Sequence, residues 1–191
     1  MRRWGTALAA LTLAGAGLMT AVGTAGAATG PAAKPAATAC STPWGSGDKS
    51  SPDTFYKPLS NIRTGRHDCY DRMVFDIPGA SAGKVGYHVG YVDTFYQDGS
   101  GEKIPVNGGA ILQIYVAAPS YDPADFSVVY PGRAGQPLPG VNLTGYQTFK
   151  DTRFGASFEG QTQVAVGTRA RLPYRVTQSG DQLIVDVAHT W

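Results

Sequence analysis

LPYRVTQSGDQLIVDV, residues 172–187, contains two short apolar runs separated by Ser179, Gly180 and Asp181. Apolar residues alternate with polar ones on either side of that break. This is the two-residue period of a β-strand, and the short Ser/Gly/Asp separator predicts a hairpin. Leu172, Tyr174 and Val176 then share one face with Leu183, Val185 and Val187. Arg175 and Asp186 fall together on the other face, directly opposite or one diagonal apart, which predicts a cross-strand ion pair.

The same texture extends back along the chain. MVFDI (73–77), VGYHVGYVD (85–93), AILQIYVAA (110–118), FSVVY (126–130) and TQVAVG (162–167) are short apolar or alternating runs. PGASAG, QDGSGEK and YPGRAGQPLPG separate them, and 25 glycines and 13 prolines suit such a loop-rich chain. Each run reads as a strand bounded by turn residues. No window after the N-terminal segment sustains the i, i+3, i+4, i+7 apolar pattern of a helix. The expected fold is all-β: one antiparallel β-sandwich domain with long Gly/Pro-rich loops and a coil-like N-terminal extension.

The N-terminus reads differently. Arg2 and Arg3 precede an apolar run from Ala7 to Val22, interrupted by glycines, and Ala25-Gly26-Ala27 offers a small-residue cleavage site. Residues 1–27 are therefore expected to be a secretory signal peptide, leaving no stable membrane span after cleavage. Residues 28–43, rich in Ala and Pro, read as a flexible tether, and residues 44–191 as the folded domain. Cys40 lies too far beyond the apolar run for a lipid anchor to be expected.

The whole sequence has 16 Lys+Arg and 14 Asp+Glu; without Arg2 and Arg3 the count is 14 against 14. A near-neutral secreted chain lacks the basic stripe of a nucleic-acid binder, so no nucleic-acid partner is expected. Two cysteines in a secreted chain most simply form one disulfide, Cys40–Cys69. Closing a loop of about 30 residues is worth about 3.5 kcal/mol in the chain-entropy view.

RTGRHDCYDRMVFDI (63–77) concentrates the polar chemistry. If the strand extended back to His67, then His67, Cys69 and Asp71 would share a face, as a Cys–His nucleophile requires. A disulfide at Cys69 removes the thiolate that such chemistry needs. A metal site would recruit His67, Asp68 or Asp71 with His88 or His189. These residues show none of the paired ligand spacings of zinc sites, so neither metal nor cofactor is expected. Asp71 and Arg72 read as groups that are each paired or hydrogen-bonded at a strand entrance. DTRFGASFEG (151–160) reads as a loop or bulged edge whose aromatics plug the sandwich end. The competing reading takes Tyr91, Tyr96, Arg153 and Phe154 as ligand contacts, because exposed aromatics stack on the apolar faces of sugar rings.

Taken together, RTGRHDCYDRMVFDI, DGSGEKIPVNGGAILQIYV, SFEGQTQVAVG and LPYRV with DQLIVDVAHTW resemble the AMIN-like domain family of secreted actinobacterial proteins and lipoproteins. The matching elements are His67 with Asp71-Arg72, Phe158-Glu159-Gly160, Arg175, and the closing strand with Asp186. The family has no established activity and no accepted catalytic residues to transfer. Its name reflects similarity to AMIN domains, β-sandwich modules that direct cell-wall amidases and secretins to peptidoglycan or the envelope. The resemblance implies His67, Asp71, Arg72, Phe158, Glu159, Arg175 and Asp186 as family positions, read here as structural. It further implies a secreted, non-catalytic, wall-associated module whose partner is peptidoglycan, another cell-wall glycan or an envelope protein. A protein-binding or inhibitory module, or a cell-wall hydrolase using Asp71, Glu159 or His67, is the alternative.

Overall fold

A computed structural model of the chain describes residue 40 and residues 42–52, 57–81 and 84–191. The expected signal peptide, the tether up to residue 39, and the aromatics Phe55 and Tyr56 lie outside the described residues. The strands are β1 (Lys49–Ser51), β2 (Asn61–Arg66), β3 (Tyr70–Asp76), β4 (Tyr87–Val92), β5 (Ala110–Val116), β6 (Phe149–Phe158), β7 (Gln161–Thr168), β8 (Tyr174–Ser179) and β9 (Gln182–Ala188). They form two antiparallel sheets, ordered β1-β4-β5-β7-β6 and β2-β3-β9-β8, and no helix occurs among the described residues. The fold is a β-sandwich.

The hairpin at 172–187 is the β8–β9 pair, with Ser179 opposite Gln182 and Gly180 on the positive-φ side at 53°. A glycine at the first central position is what a tight two-residue hairpin turn of this hand requires. Parity then works as expected. Met73, Phe75, Leu183, Val185, Val187 and Tyr174 point inward and are buried against Val89, Leu112, Ile114, Val164 and Val166 of the other sheet. Tyr174 also pins the two sheets polarly: its Oη lies 2.7 Å from the carbonyls of both Val89 and Gly47, sharing one hydrogen between them. A second, smaller cluster forms on the outer face of the five-stranded sheet, where the β4–β5 loop lays Phe95 and Ile104 over Ala165.

Three segments differ from the sequence reading. FSVVY is not a strand: Phe126 takes φ 60°, the Tyr121–Val128 pairing is an isolated bridge, and the Val129 and Tyr130 N–H groups both donate to the Ser120 carbonyl. The carboxylates of Asp122 and Asp125 cap the N–H groups of Ala124 and Ser127, so the loop satisfies its own backbone and gains little from a sheet. Conversely, part of the stretch expected as coil forms β1 and β2, short edge strands with little apolar alternation to announce them. DTRFGASFEG is a bulged edge, as one reading had it. It forms most of the ten-residue β6, with register shifts at Phe149/Asp151 and Phe154/Ala156.

The Cys40–Cys69 disulfide, with Cα atoms 5.4 Å apart, ties the start of the domain to the β2–β3 turn. With the Gly45 carbonyl accepting from the Tyr174 N–H at 2.9 Å, it places Trp44 over the outer face of the four-stranded sheet.

Candidate functional site: an aromatic–guanidinium platform and the adjoining cleft

β2 and β3 are joined by a tight turn in which the His67 N–H donates to the Tyr70 carbonyl at 3.0 Å. The strand therefore starts at Tyr70 and does not extend back through Cys69. His67, Cys69 and Asp71 accordingly share no face. Asp71 points into the sandwich, Arg72 points out, and Cys69 is oxidised.

On the outer face, register places Arg72, Asp186 and Arg175 side by side on β3, β9 and β8. Asp186 is fully buried. Arg72 Nε donates to its Oδ1 at 2.6 Å, Arg72 Nη2 to Oδ2 at 2.9 Å, and Arg175 Nε to Oδ2 at 2.8 Å. The Arg175–Asp186 pair expected from the hairpin is present, and Arg72 is its unforeseen third member. Hydrogen bonding to Asp186 raises the Arg72 pKa above its ordinary value, against a smaller opposing effect of burial. Flat rings cover the triad. The Arg175 guanidinium lies 4.4 Å from the Trp44 ring, and Tyr70 sits 5.3 Å from that of Arg72 and 5.5 Å from that of Arg175. Trp44 meets Tyr70 edge-on at 5.6 Å, and exposed His67 stacks on the other end of Tyr70 at 4.4 Å. The result is a continuous row of planar groups along one edge of the sandwich.

Behind His67 opens a polar cleft of about 540 Å³, lined by Arg66, His67, Asp68, Asp71, Gln147 and His189 among others. Asp71 at its base is fully buried. Its Oδ2 accepts the backbone N–H groups of Thr148 at 2.6 Å and Phe149 at 3.0 Å, holding the start of β6. Its Oδ1 has no hydrogen-bond partner and faces His189 Nε2 at 3.9 Å. That nitrogen carries its hydrogen, because it faces the His67 carbonyl at 3.0 Å. His189 Nδ1 lies 3.0 Å from the Thr148 hydroxyl, which also reaches the Ala188 carbonyl at 3.0 Å. Arg169 donates to the His189 carbonyl, holding the chain just after β9. The Asp–His–Thr order resembles a nucleophile triad. However, Thr148 is fully buried with its hydroxyl engaged on both sides, so no substrate carbonyl can reach it.

The remaining sequence candidates scatter. Phe154 is not on a ligand surface: at 4% exposure it packs in the core against Tyr130. Tyr91 is half-buried, its hydroxyl donating to the Leu172 carbonyl at 2.9 Å and accepting the Leu172 N–H at 3.0 Å, and burial raises its pKa. Arg153 is engaged with Asp151, the Pro105 carbonyl and the Thr152 carbonyl. Tyr96, 53% exposed, is the one aromatic of the three that is open to solvent. Phe158 and Glu159 form the β6–β7 turn, where Glu159 and Gly160 have φ of 48° and 80°, as a type I′ hairpin demands. That turn ends β6, whose other end is held by Asp71 roughly 30 Å away at strand rise. Asp71 and Glu159 therefore cannot act as a carboxylate pair. His88 lies exposed on the five-stranded sheet, away from His67 and His189. Among the described residues, no group of three His, Cys, Asp or Glu side chains is placed to hold a metal ion.

Trp44, Tyr70 and Arg66 are site residues that the sequence reading passed over, and His189 enters that reading only as a metal ligand. Tyr70 could have been found from parity, since it shares a face with Arg72. Trp44 could not, because its place depends on the disulfide and on a bond to a strand 129 residues later in the chain.

No curated protein and no solved structure matches the chain. A comparison with protein families matches residues 57–189 to the AMIN-like domain. This match spans β2 to the end of β9 and includes the Arg72–Asp186–Arg175 row, Asp71 and His189. With more than half its length so matched, the chain belongs to the AMIN-like domain family.

Proposed function

We propose that this protein is a secreted, non-catalytic envelope module that binds peptidoglycan or another cell-wall glycan, with the aromatic–guanidinium platform as its contact surface. The observation that carries this reading is the row Trp44, Arg175, Tyr70, Arg72 and His67, held in place over a buried carboxylate. Sugar rings present apolar C–H faces that stack on flat π-systems, and their hydroxyls accept guanidinium hydrogens. Membership of the AMIN-like family supports association with the envelope. The disulfide fits an oxidising compartment, and among the described residues no helix is long and apolar enough to cross a membrane.

The test is co-sedimentation of the protein with insoluble peptidoglycan, with the supernatant assayed for released sugars and peptides. Retention without release is expected. Trp44→Ala should lower retention about tenfold, the scale of one lost anchor residue. Tyr96→Ala, in the β4–β5 loop, should leave it unchanged. Release of products would refute the non-catalytic reading. Full retention by Trp44→Ala would remove the platform as the contact surface.

A protein-binding role is the second reading, and a separate observation favours it. Phe126 (74% exposed), Val128 (73%) and Phe158 (51%) stand on two neighbouring loops, joined where the Ser120 N–H donates to Ser157 Oγ at 2.8 Å. Exposed apolar side chains gathered at one end are a feature of protein contact surfaces. A co-purifying protein partner with no glycan retention would favour this reading over the first.

A further inference from the structure

We infer that the platform reads a carboxylate carried by its ligand, so that the polymer it takes is an acidic one and Arg175 is the residue that senses the acid. The inference rests on the platform being the glycan contact surface, and it concerns the charge stored there. Asp186 supplies one negative charge and is approached by two guanidinium groups. Arg72 alone satisfies it side-on, through Nε and Nη2 to the two oxygens. Arg175 adds a third hydrogen bond through Nε and brings one positive charge in excess. A purely structural pair needs no second cation, and two like charges on one carboxylate repel each other.

What Arg175 does with the rest of its guanidinium points to a ligand. Neither Nη group donates to any described residue, and the side chain is 38% exposed. The group is nonetheless immobilised: Asp186 fixes Nε, the Trp44 ring lies 4.4 Å from the guanidinium, and the Tyr70 ring lies 5.5 Å from it. An oriented fork with a free planar edge is the arrangement that binds a carboxylate through two parallel hydrogen bonds. The entropic cost of ordering the side chain is already met by the fold. A guanidinium fork pairs with phosphate as well as with carboxylate, so the surroundings of the edge decide the preference. Here Arg175 offers one planar edge confined between the Trp44 and Tyr70 rings, 4.4 and 5.5 Å away, which suits an anion that is itself planar. The chemistry favours a carboxylate on or next to a sugar ring, with the ring stacked along Trp44, Tyr70 or His67.

The experiment compares retention of the wild-type protein on three forms of peptidoglycan: untreated, with its carboxyl groups converted to amides, and stripped of phosphate polymers by acid. Amidation should lower affinity at least about tenfold, the value of one charge-assisted fork, whereas stripping should change little. In parallel, Arg175→Lys keeps the charge and the pairing with Asp186 but lacks the Nη edge. It should lose retention on untreated polymer while its melting temperature stays near that of wild type. Equal retention on amidated and untreated polymer would overturn the carboxylate inference and leave the glycan reading standing. Loss on stripping alone would also overturn it, by assigning the anion to phosphate. Retention on none of the three forms would remove both the glycan reading and this one.

Discussion

Replacing Asp71 by alanine should destabilise the domain by about 3 kcal/mol without touching the platform. Asp71 Oδ2 is the acceptor for two buried backbone donors, the N–H groups of Thr148 and Phe149, at 2.6 and 3.0 Å. Alanine leaves both unpaired at buried positions, and each unsatisfied buried donor costs about 1–3 kcal/mol. Against that, the native carboxylate is itself fully buried with Oδ1 unbonded, so its removal returns part of the desolvation cost. The net of about 3 kcal/mol corresponds to a fall in Tm of about 6–12 °C for a domain of this size. Asp71→Asn keeps a carbonyl oxygen in place but loses the charge, and should cost about half as much. Thermal and urea unfolding followed by far-ultraviolet circular dichroism, with retention on peptidoglycan measured on the same samples, reads both consequences. A Tm for Asp71→Ala within about 1 °C of wild type would refute the clamp, showing that the start of β6 holds its place without the carboxylate. An unchanged Tm with lost retention would transfer Asp71 from the scaffold to the ligand.

Phe154→Ala should cost about 3–5 kcal/mol as a large-to-small core substitution, whereas exposed Tyr96→Ala should stay within about 0.5 kcal/mol of wild type; comparable urea midpoints for the two would refute the placement of Phe154 in the core. Alkali should destabilise the protein through its buried phenols. Burial raises the pKa values of Tyr91, Tyr115, Tyr130 and Tyr174 above the ordinary 10, with Asp98 adding to the effect at Tyr115. These four stay neutral in the folded protein while the unfolded chain ionises. Above about pH 10 the native state therefore binds more protons and stability falls with pH, by up to about 1.4 kcal/mol per unit per tyrosine. A phenolate absorbance that develops fully near pH 10 in the folded protein, with no loss of stability beyond it, would contradict this.

Much of the fold was legible because strand parity is a local property. The period of two in LPYRV and QLIVDV assigns each side chain to a face without knowledge of any partner, and the glycine in the turn sets the register. Core and surface of the β8–β9 hairpin, and the Arg175–Asp186 pair across it, follow from those 16 residues. Parity along 72–77 likewise sets Met73 and Phe75 on one face and Arg72 on the other. It failed where alternation is interrupted. β6 carries two register shifts, and so Phe154, which lies in the core, looked available in the sequence. β1 and β2 are edges whose pairing relies on backbone groups that every residue carries. FSVVY had strand composition, but Asp122 and Asp125 offered its backbone nearer partners.

The candidate site was legible in its parts but not in its assembly. His67, Asp71, Arg72, Arg175 and Asp186 are prominent as charged or titratable residues beside apolar runs. Their division into an outward triad and an inward clamp depends on where β3 begins, and a single backbone hydrogen bond from His67 to Tyr70 decides that.

The sequence by itself determined the β-sandwich, the single disulfide and the family, because periodicity, cysteine count and motif order are properties of neighbours along the chain. Only the tertiary structure decided that Arg72 joins Arg175 on Asp186 from 114 residues away, that Trp44 lies over them, and that Asp71 serves backbone groups 77 and 78 residues distant. Such contacts are selected by the packing of two whole sheets, and no local pattern encodes which distant donor a buried carboxylate will meet.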